Sequence, residues 1–111
     1  MKTLKFAPDL VLKILAGEKT TTWRLFDDKD LQKGDELSFL NKESLEKFGS
    51  ATITSLYTKT LGTLTDADWE GHERYSSEEE MYAAYRMYYG NGVTADTEVK
   101  ILSFDFAPRT S

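Results

Sequence analysis

The chain has 111 residues, of which 40% are hydrophobic, 13% aromatic and 30% charged, a balance that predicts one globular domain and excludes a disordered chain. It contains no cysteine, which excludes disulfide bonds and thiolate metal sites. Its 14 basic and 19 acidic residues give a net charge of −5, and the basic residues form no run, which excludes sequence-independent coating of long nucleic acids.

The first 17 residues superficially mimic a secretory signal, because early lysines precede an apolar stretch. Pro8 opens that stretch, however, and Asp9 and Lys13 interrupt it. A secretory core needs about 7–15 uninterrupted apolar residues. No segment reaches the roughly 20 apolar residues that span a bilayer. We therefore expect a cytoplasmic protein with no membrane partner.

The chain begins with the pattern of a short strand over residues 2–6, followed by a helix over residues 8–16. Pro8 suits the first turn of that helix and Gly17 its carboxyl-terminal stop. Residues 20–26 are β-branched and aromatic, which favours a strand. The apolar residues of the helix recur at spacings of three and four and form one stripe, namely Leu10, Val11, Ile14 and Leu15.

The middle of the chain predicts two further strands. An acidic turn over residues 27–30 and a tight turn at residues 33–35 precede a strand over residues 36–41, in which apolar residues alternate. Residues 42–49 are charged and end in glycine, so they predict a loop. A threonine-rich strand follows over residues 51–60.

A second helix is indicated by a capping signal and a periodic aromatic stripe. Ser76 and Ser77 each have a glutamate three residues later, at Glu79 and Glu80, so a capping box is available in either register. Gly90 closes the helix. The stripe recurs at helical spacing and consists of Met81, Tyr82, Tyr85, Tyr88 and Tyr89.

A last strand is predicted over residues 97–106, where apolar residues alternate, and residues 107–111 read as a frayed tail. The element order is then β-α-β-β-β-α-β, with no regular βαβ rhythm. This order predicts an α+β fold: five or six mostly antiparallel strands curled into a small barrel, flanked by two main helices. We expect a single domain over residues 1–106.

The segment over residues 17–24 is the most informative for function, because a helix stop runs directly into a strand. Side chains on a strand alternate faces, and Trp23 calls for burial, so Thr22 and Arg24 line the opposite face. Lys19 lies at the junction and leans over that same face. The residue types alone also fit solvent-facing charges and ordinary strand threonines.

The segment carries the pattern G-x-K-x-x-T-x-R, which resembles the signature of the ASCH domain, a branch of the PUA-like barrel superfamily. The resemblance continues in order through the strand after residues 33–35, the segment 64–75 and the terminal strand 99–106, so it covers nearly the whole chain. It implies a PUA-like β-barrel whose cleft binds a nucleoside or short RNA. It also implies no DNA partner, no cofactor, and a monomer or weak dimer.

The resemblance implies an activity as well, since some small ASCH proteins look like amidohydrolases that remove the acetyl group of N4-acetylcytidine. Carried over residue by residue, the catalytic set is Lys19, Thr22 and Glu73, with no metal. Thr22 is then the nucleophile. Lys19 is the base if loss of solvent favours its neutral form, and otherwise stabilises the oxyanion. Glu73 orients the lysine or passes a proton to the leaving amine; because it aligns across a one-residue insertion, Glu70 is a rival.

Two other functions remain open under the same resemblance. One is a non-catalytic module, in which Arg24 and Lys19 meet the phosphates or base edges of RNA. The other is a ribonuclease that uses Lys19, Arg24 and a tyrosine, with or without a divalent ion.

Two more residues are candidate ligand contacts. His72 is the only histidine and lies in a loop before the second helix, where ligand-binding residues collect, although a structural role fits it too. Tyr88 lies slightly off the face shared by Tyr82, Tyr85 and Tyr89. It is therefore the tyrosine we expect to reach the cleft and stack on an unpaired base.

Overall fold

The computed structural model describes residues 2–27, 29–72 and 74–108. Within these ranges the predicted element order is confirmed, and two single-turn 3-10 helices, Leu61–Thr63 and Asp66–Trp69, precede the second α-helix. Neither α-helix in the described ranges has the length and apolar character of a membrane span. The elements are β1 (Lys2–Phe6), α1 (Pro8–Leu15), β2 (Thr21–Leu25), β3 (Glu36–Asn41), β4 (Lys47–Thr60), α2 (Glu78–Tyr89) and β5 (Glu98–Pro108).

The start of β4 differs from the sequence-based expectation. The predicted loop over residues 42–49 is wrong at its end, because β4 begins at Lys47. The Asn41 side chain closes the turn early by accepting hydrogen bonds from the backbone N–H groups of Glu43 and Ser44. Gly49 lies within the strand, where an added Cβ would collide with the ring of Phe106. This glycine therefore permits a close aromatic contact and does not mark a loop.

The five strands of the described residues form one curled sheet in the order β1-β3-β4-β5-β2. β1 pairs with β3 in parallel, and the other three pairs are antiparallel. This is the α+β, barrel-like fold that the sequence predicts. Because β1 and β2 are the two edges of the sheet, curling it brings them towards each other and leaves the barrel open between them.

Two apolar clusters stabilise the sheet, one on each face. On β5 the neighbours Ile101 and Leu102 point to opposite faces and belong to different clusters. α1 packs on the first cluster through Val11 and Ile14, and α2 packs on the second through Met81 and Tyr85. Leu15 was expected in the α1 stripe but is 49% exposed, because it is rotated by about 100° from Ile14 around the helix axis.

The last strand extends beyond its predicted end. β5 reaches Pro108, and Ala107 and Pro108 pair with Ser50 and Gly49 of β4. Residues 109–111 of the predicted tail lie outside the described residues.

Candidate functional site

A cavity of about 480 Å³ lies in the gap between the edge strands β1 and β2. The start of α1 borders it on one side and the second half of α2 on the other. Its lining consists of Lys5, Phe6, Ala7, Asp9, Leu10, Lys13, Thr22, Trp23, Arg24, Lys42, His72, Arg74, Tyr75, Ala84, Tyr85, Tyr88 and Tyr89. A pocket of this size falls in the range of about 300–1,000 Å³ that is usual for small-molecule sites.

Strand β2 supplies three consecutive lining residues, Thr22, Trp23 and Arg24. The expected alternation holds: Thr22 pairs with Leu102 of the first cluster, whereas Trp23 belongs to the second cluster. Trp23 nevertheless lines the cavity, which the sequence argument did not foresee. The reason is that β2 is an edge strand, so a cavity beside it is accessible to side chains from both of its faces.

Arg24 spans the gap between the two edge strands. Its guanidinium Nη2 donates to the Lys5 carbonyl of β1 at 3.3 Å, and its Cζ lies 4.9 Å from the centre of the Phe6 ring. A cation over an aromatic face is attracted by the ring quadrupole. Arg24 thus lines the cavity, where it is expected to contact ligand, and also links β2 to β1.

His72 lies against the wall of the cavity, stacked on Trp23 with ring centres 4.1 Å apart. The residue before His72 attaches this loop to β2. The Gly71 carbonyl accepts hydrogen bonds from the backbone N–H groups of Thr20 and Thr21 at 2.8 and 3.1 Å. Gly71 has a φ of +73°, and a Cβ there would collide with the Thr20 hydroxyl. Only glycine fits this approach without strain.

Asp68 anchors the other end of the same loop. Its buried carboxylate accepts from Tyr57, Lys59 and the Thr65 backbone N–H at 2.8, 2.7 and 2.7 Å. Burial by itself raises the pKa of Asp68, but these hydrogen bonds, that of Lys59 foremost, outweigh it and lower the pKa to about 2. Burial and the neighbouring Asp68 raise the pKa of Tyr57 to about 12. The His72 loop is therefore tied to both β4 and β2.

The structure describes two of the three predicted catalytic residues, Lys19 and Thr22. Thr22 is 4% exposed and lines the cavity. Lys19 is 2% exposed but is not among the lining residues. Glu73 lies outside the described residues, so its place beside Lys19 and Thr22 stays a prediction. The rival Glu70 is close to β2 through its backbone, since its carbonyl accepts from the Thr21 hydroxyl at 3.2 Å.

Tyr88 lines the cavity and is 58% exposed, whereas Tyr85 of the same helix is 5% exposed. The Lys42 ammonium lies 5.0 Å from the centre of the Tyr88 ring. Tyr82 and Tyr89 are half-buried and pack against the second cluster. Tyr88 is thus the most exposed of the tyrosines that line the cavity, and base stacking on it stays a prediction.

Charge and burial divide the lining into two parts. Its buried members are aromatic or neutral, namely Phe6, Thr22, Trp23, His72 and Tyr85. Its described charged members are five cations and one anion, and all but the half-buried Arg24 are exposed. We call them the rim: Lys5, Asp9, Lys13, Arg24, Lys42 and Arg74. An acidic chain therefore carries a locally basic opening with an aromatic interior.

Sequence reasoning missed four of these cations, Lys5, Lys13, Lys42 and Arg74. They come from β1, α1, the β3–β4 turn and the loop before α2, so no run of basic residues in the sequence indicates that they lie together. Among the residues described, no group of three or more histidine, cysteine, aspartate or glutamate side chains is placed to hold a metal ion.

The sequence matches no protein-family model and no curated protein. The fold, in contrast, matches solved structures. An ASCH domain from Lactobacillus crispatus superposes with a TM-score of 0.69 at 17% identity, covering 97% of this chain and 80% of the other. The chain has the fold of an ASCH domain.

The fold of this chain also matches two further solved structures. A DUF984 protein from Enterococcus faecalis has a TM-score of 0.77 at 15% identity, over 93% of this chain and 72% of its own. The ASCH protein of Zymomonas mobilis has a TM-score of 0.63 at 18% identity, over 96% of this chain and 68% of its own. Structural similarity at these sequence identities establishes the fold alone. This is the fold that the resemblance of the G-x-K-x-x-T-x-R segment predicts. The function has to be argued from the cavity.

Proposed function

We propose that this protein belongs to the ASCH family and that its cavity binds a nucleoside or a short single-stranded RNA. The observation that carries this proposal is the division of the cavity into a buried aromatic interior and an exposed cationic rim. Aromatic side chains stack on unpaired bases, and lysine and arginine neutralise phosphates. The division orients the ligand, with its base inside and its sugar, or in RNA its phosphate, at the rim.

The charge of the whole chain supports a small ligand. With a net charge of −5, the surface away from the rim repels a long polyanion, so contact is confined to the few nucleotides at the cavity. We therefore expect weak binding to bulk single-stranded RNA that weakens further as salt rises. Submicromolar, sequence-independent binding at physiological salt in an anisotropy titration would contradict this expectation.

The specific reaction we propose is hydrolysis of the N4-acetyl amide of cytidine. The Thr22 hydroxyl attacks the acetyl carbonyl, the C–N bond breaks, and N4 takes a proton as cytidine leaves. Water then hydrolyses the acetyl ester on Thr22 to acetate. Support for this reaction comes from Thr22, whose hydroxyl-bearing side chain lines the buried part of the cavity. Lys19 and Glu73 take the roles that the ASCH resemblance implies.

A non-catalytic binding module is the second candidate, favoured by one observation. Lys19 is not among the residues that line the cavity. A lysine that acts on the amide as a base or as an oxyanion donor has to reach the bound ligand. In that case Arg24 and the other rim cations bind RNA and no chemistry follows.

Incubation with N4-acetylcytidine separates these candidates. Chromatography follows the release of cytidine and acetate, and calorimetry with the Thr22→Ala variant measures binding without turnover. Release by the wild type and not by Thr22→Ala supports the amidohydrolase. Binding of nucleoside or oligoribonucleotide without release of cytidine supports the module, and cleavage of the oligoribonucleotide supports a ribonuclease. Absence of binding to every one of these ligands contradicts the proposed function.

A further inference from the structure

The indole N–H of Trp23 is a buried donor without an acceptor among the residues that the structure describes. Trp23 is 3% exposed, and its Nε1 has almost no accessible surface. A buried donor left without a partner costs about 1–3 kcal/mol, and native proteins rarely retain one without a reason. Tryptophan can only donate at this atom, so its partner has to be an acceptor.

The same residue lines the cavity. Its ring packs against three others, with ring centres at 4.1 Å from His72, 4.4 Å from Trp69 and 6.3 Å from Tyr85. This packing restricts the indole to one orientation. The orientation of the indole is therefore set before a ligand binds, which reduces the entropy lost when a hydrogen bond to it forms.

The surroundings of the indole select the kind of acceptor. The neighbours of Trp23 in the interior are aromatic rings, whereas the cations that attract phosphate oxygens lie on the exposed rim. An anionic oxygen is better stabilised at the rim, so the acceptor that reaches Trp23 is neutral. The neutral acceptor that a nucleobase offers most strongly is a carbonyl oxygen.

We propose that the Trp23 indole N–H donates a hydrogen bond to a carbonyl oxygen of the bound base and thereby selects the ligand. This inference rests on the proposed binding of a nucleoside or short RNA. A base that places an amino group at this point leaves two donors facing each other, so the amino group loses its hydrogen bond to water and the indole N–H still gains no acceptor. Trp23 is therefore a recognition residue as well as a core residue.

Trp23→Phe tests this proposal, because phenylalanine keeps an aromatic ring in the stack and removes the donor. We expect the variant to fold, as judged by circular dichroism, and its affinity for cytidine 5′-monophosphate to fall about tenfold, as one hydrogen bond of average strength implies. Trp69→Phe is the matched control: Trp69 contacts Trp23 in the same stack but does not line this cavity. Its affinity should stay within about twofold of the wild type.

A second variant removes the donor while conserving the shape of the ring. The sequence has two tryptophans, so in the Trp69→Phe background a tryptophan auxotroph grown on 3-benzothienylalanine replaces Trp23 alone, with sulfur where the N–H was. The same loss of affinity is expected. Unchanged affinity in this variant overturns the proposal, whatever Trp23→Phe does.

A direct readout is available from the ¹H–¹⁵N spectrum, in which Trp69→Phe leaves only the indole signal of Trp23. Saturating cytidine 5′-monophosphate should shift this signal downfield and slow its exchange with solvent. Binding detected by calorimetry with the signal and its exchange unchanged overturns the proposal and leaves nucleotide binding intact. Absence of binding by calorimetry instead refutes the proposed function, and this inference with it.

Discussion

The two apolar clusters of this protein differ in chemistry. The first contains only aliphatic side chains and phenylalanines, which have no polar side-chain atoms, whereas the second is rich in tryptophan and tyrosine. The buried members of the first are Leu4, Phe6, Val11, Ile14, Leu31, Leu37, Phe39, Ala51, Ile53, Leu102 and Phe104. Those of the second are Trp23, Leu25, Leu61, Met81, Tyr85, Val93, Val99 and Ile101.

This difference corresponds to two tasks. Side chains without polar atoms can be packed at no cost in unmade hydrogen bonds, which suits a cluster whose task is stability. Tryptophan and tyrosine combine a large apolar ring with a polar group, which suits a cluster that borders the proposed ligand site, although Phe6 of the first cluster lines the same cavity. β2 lies between them, because Thr22 and Arg24 point towards one face and Trp23 towards the other.

Truncation of a first-cluster residue that does not line the cavity should affect stability and leave the cavity unaffected. Ile53 is 1% exposed, belongs to the first cluster and is not among the lining residues. Ile53→Ala should lower the free energy of unfolding by about 2–5 kcal/mol, measured by urea denaturation. Ligand affinity per folded molecule should stay within twofold. A fall in affinity parallel to the fall in stability would show that the two clusters are not independent.

Asp68→Asn should weaken the attachment of the His72 loop. We expect a loss of about 1.5–3 kcal/mol in the free energy of unfolding, because hydrogen bonds to a charged acceptor become hydrogen bonds to a neutral one. Ligand affinity should fall with it, since the loop places His72 against Trp23. Asp66→Asn is the matched control, because Asp66 is exposed in the same 3-10 helix. Equal effects of the two substitutions would contradict the anchoring role of Asp68.

The Asp68→Asn and Asp66→Asn variants should also differ in how their stability depends on pH. The pKa of Asp68 is about 2 in the folded state, below the value near 3.9 of an unfolded aspartate. Its contribution to stability is therefore complete above about pH 5 and is lost as the pH falls from about 4 to 2. In urea titrations between pH 5 and 2, Asp68→Asn should show a shallower decline than the wild type. Asp66→Asn should decline as steeply as the wild type does.

Neighbouring threonines on β2 should separate stability from chemistry. Thr21→Ala removes a buried hydroxyl bonded to the Glu70 carbonyl, so it should cost about 1 kcal/mol of stability and leave turnover per folded molecule intact. Thr22→Ala should abolish the release of cytidine from N4-acetylcytidine at a smaller cost in stability. Retained activity in Thr22→Ala, or equal loss in both variants, would exclude Thr22 as the nucleophile.

The smallest effect on stability is expected at Tyr88, which lines the cavity from α2 and is 58% exposed. Tyr88→Ala should change the free energy of unfolding by less than about 0.5 kcal/mol, because its side chain is mostly in solvent. Stacking on a base is worth about 1–3 kcal/mol, so binding of an oligoribonucleotide should weaken by that amount in a fluorescence titration. Tyr88→Phe should bind like the wild type. Met87→Ala, at a position that is 88% exposed and outside the cavity lining, is the control.

Local patterns were sufficient to predict most of the fold. The order of strands and helices is confirmed, because strand alternation, helical periodicity and capping depend on residues within a few positions of each other. The amino-terminal cap of α2 is a feature that such patterns did not fully determine. The sequence offered two registers, and the structure selects Ser77, whose hydroxyl accepts from the Glu80 backbone N–H at 3.2 Å. Ser76 instead bonds to the Glu80 carboxylate.

The residues that β2 presents to each face could be predicted from the sequence, because alternation along a strand follows from backbone geometry alone. It could not show that β2 forms an edge of the sheet, and this position is the reason why Trp23 reaches the cavity. Nor could it gather Lys5, Lys13, Lys42 and Arg74, which are far apart in the chain. Which residues become neighbours across a cavity depends on the order of the strands and the curl of the sheet, and neither follows from patterns of residues that are close in sequence.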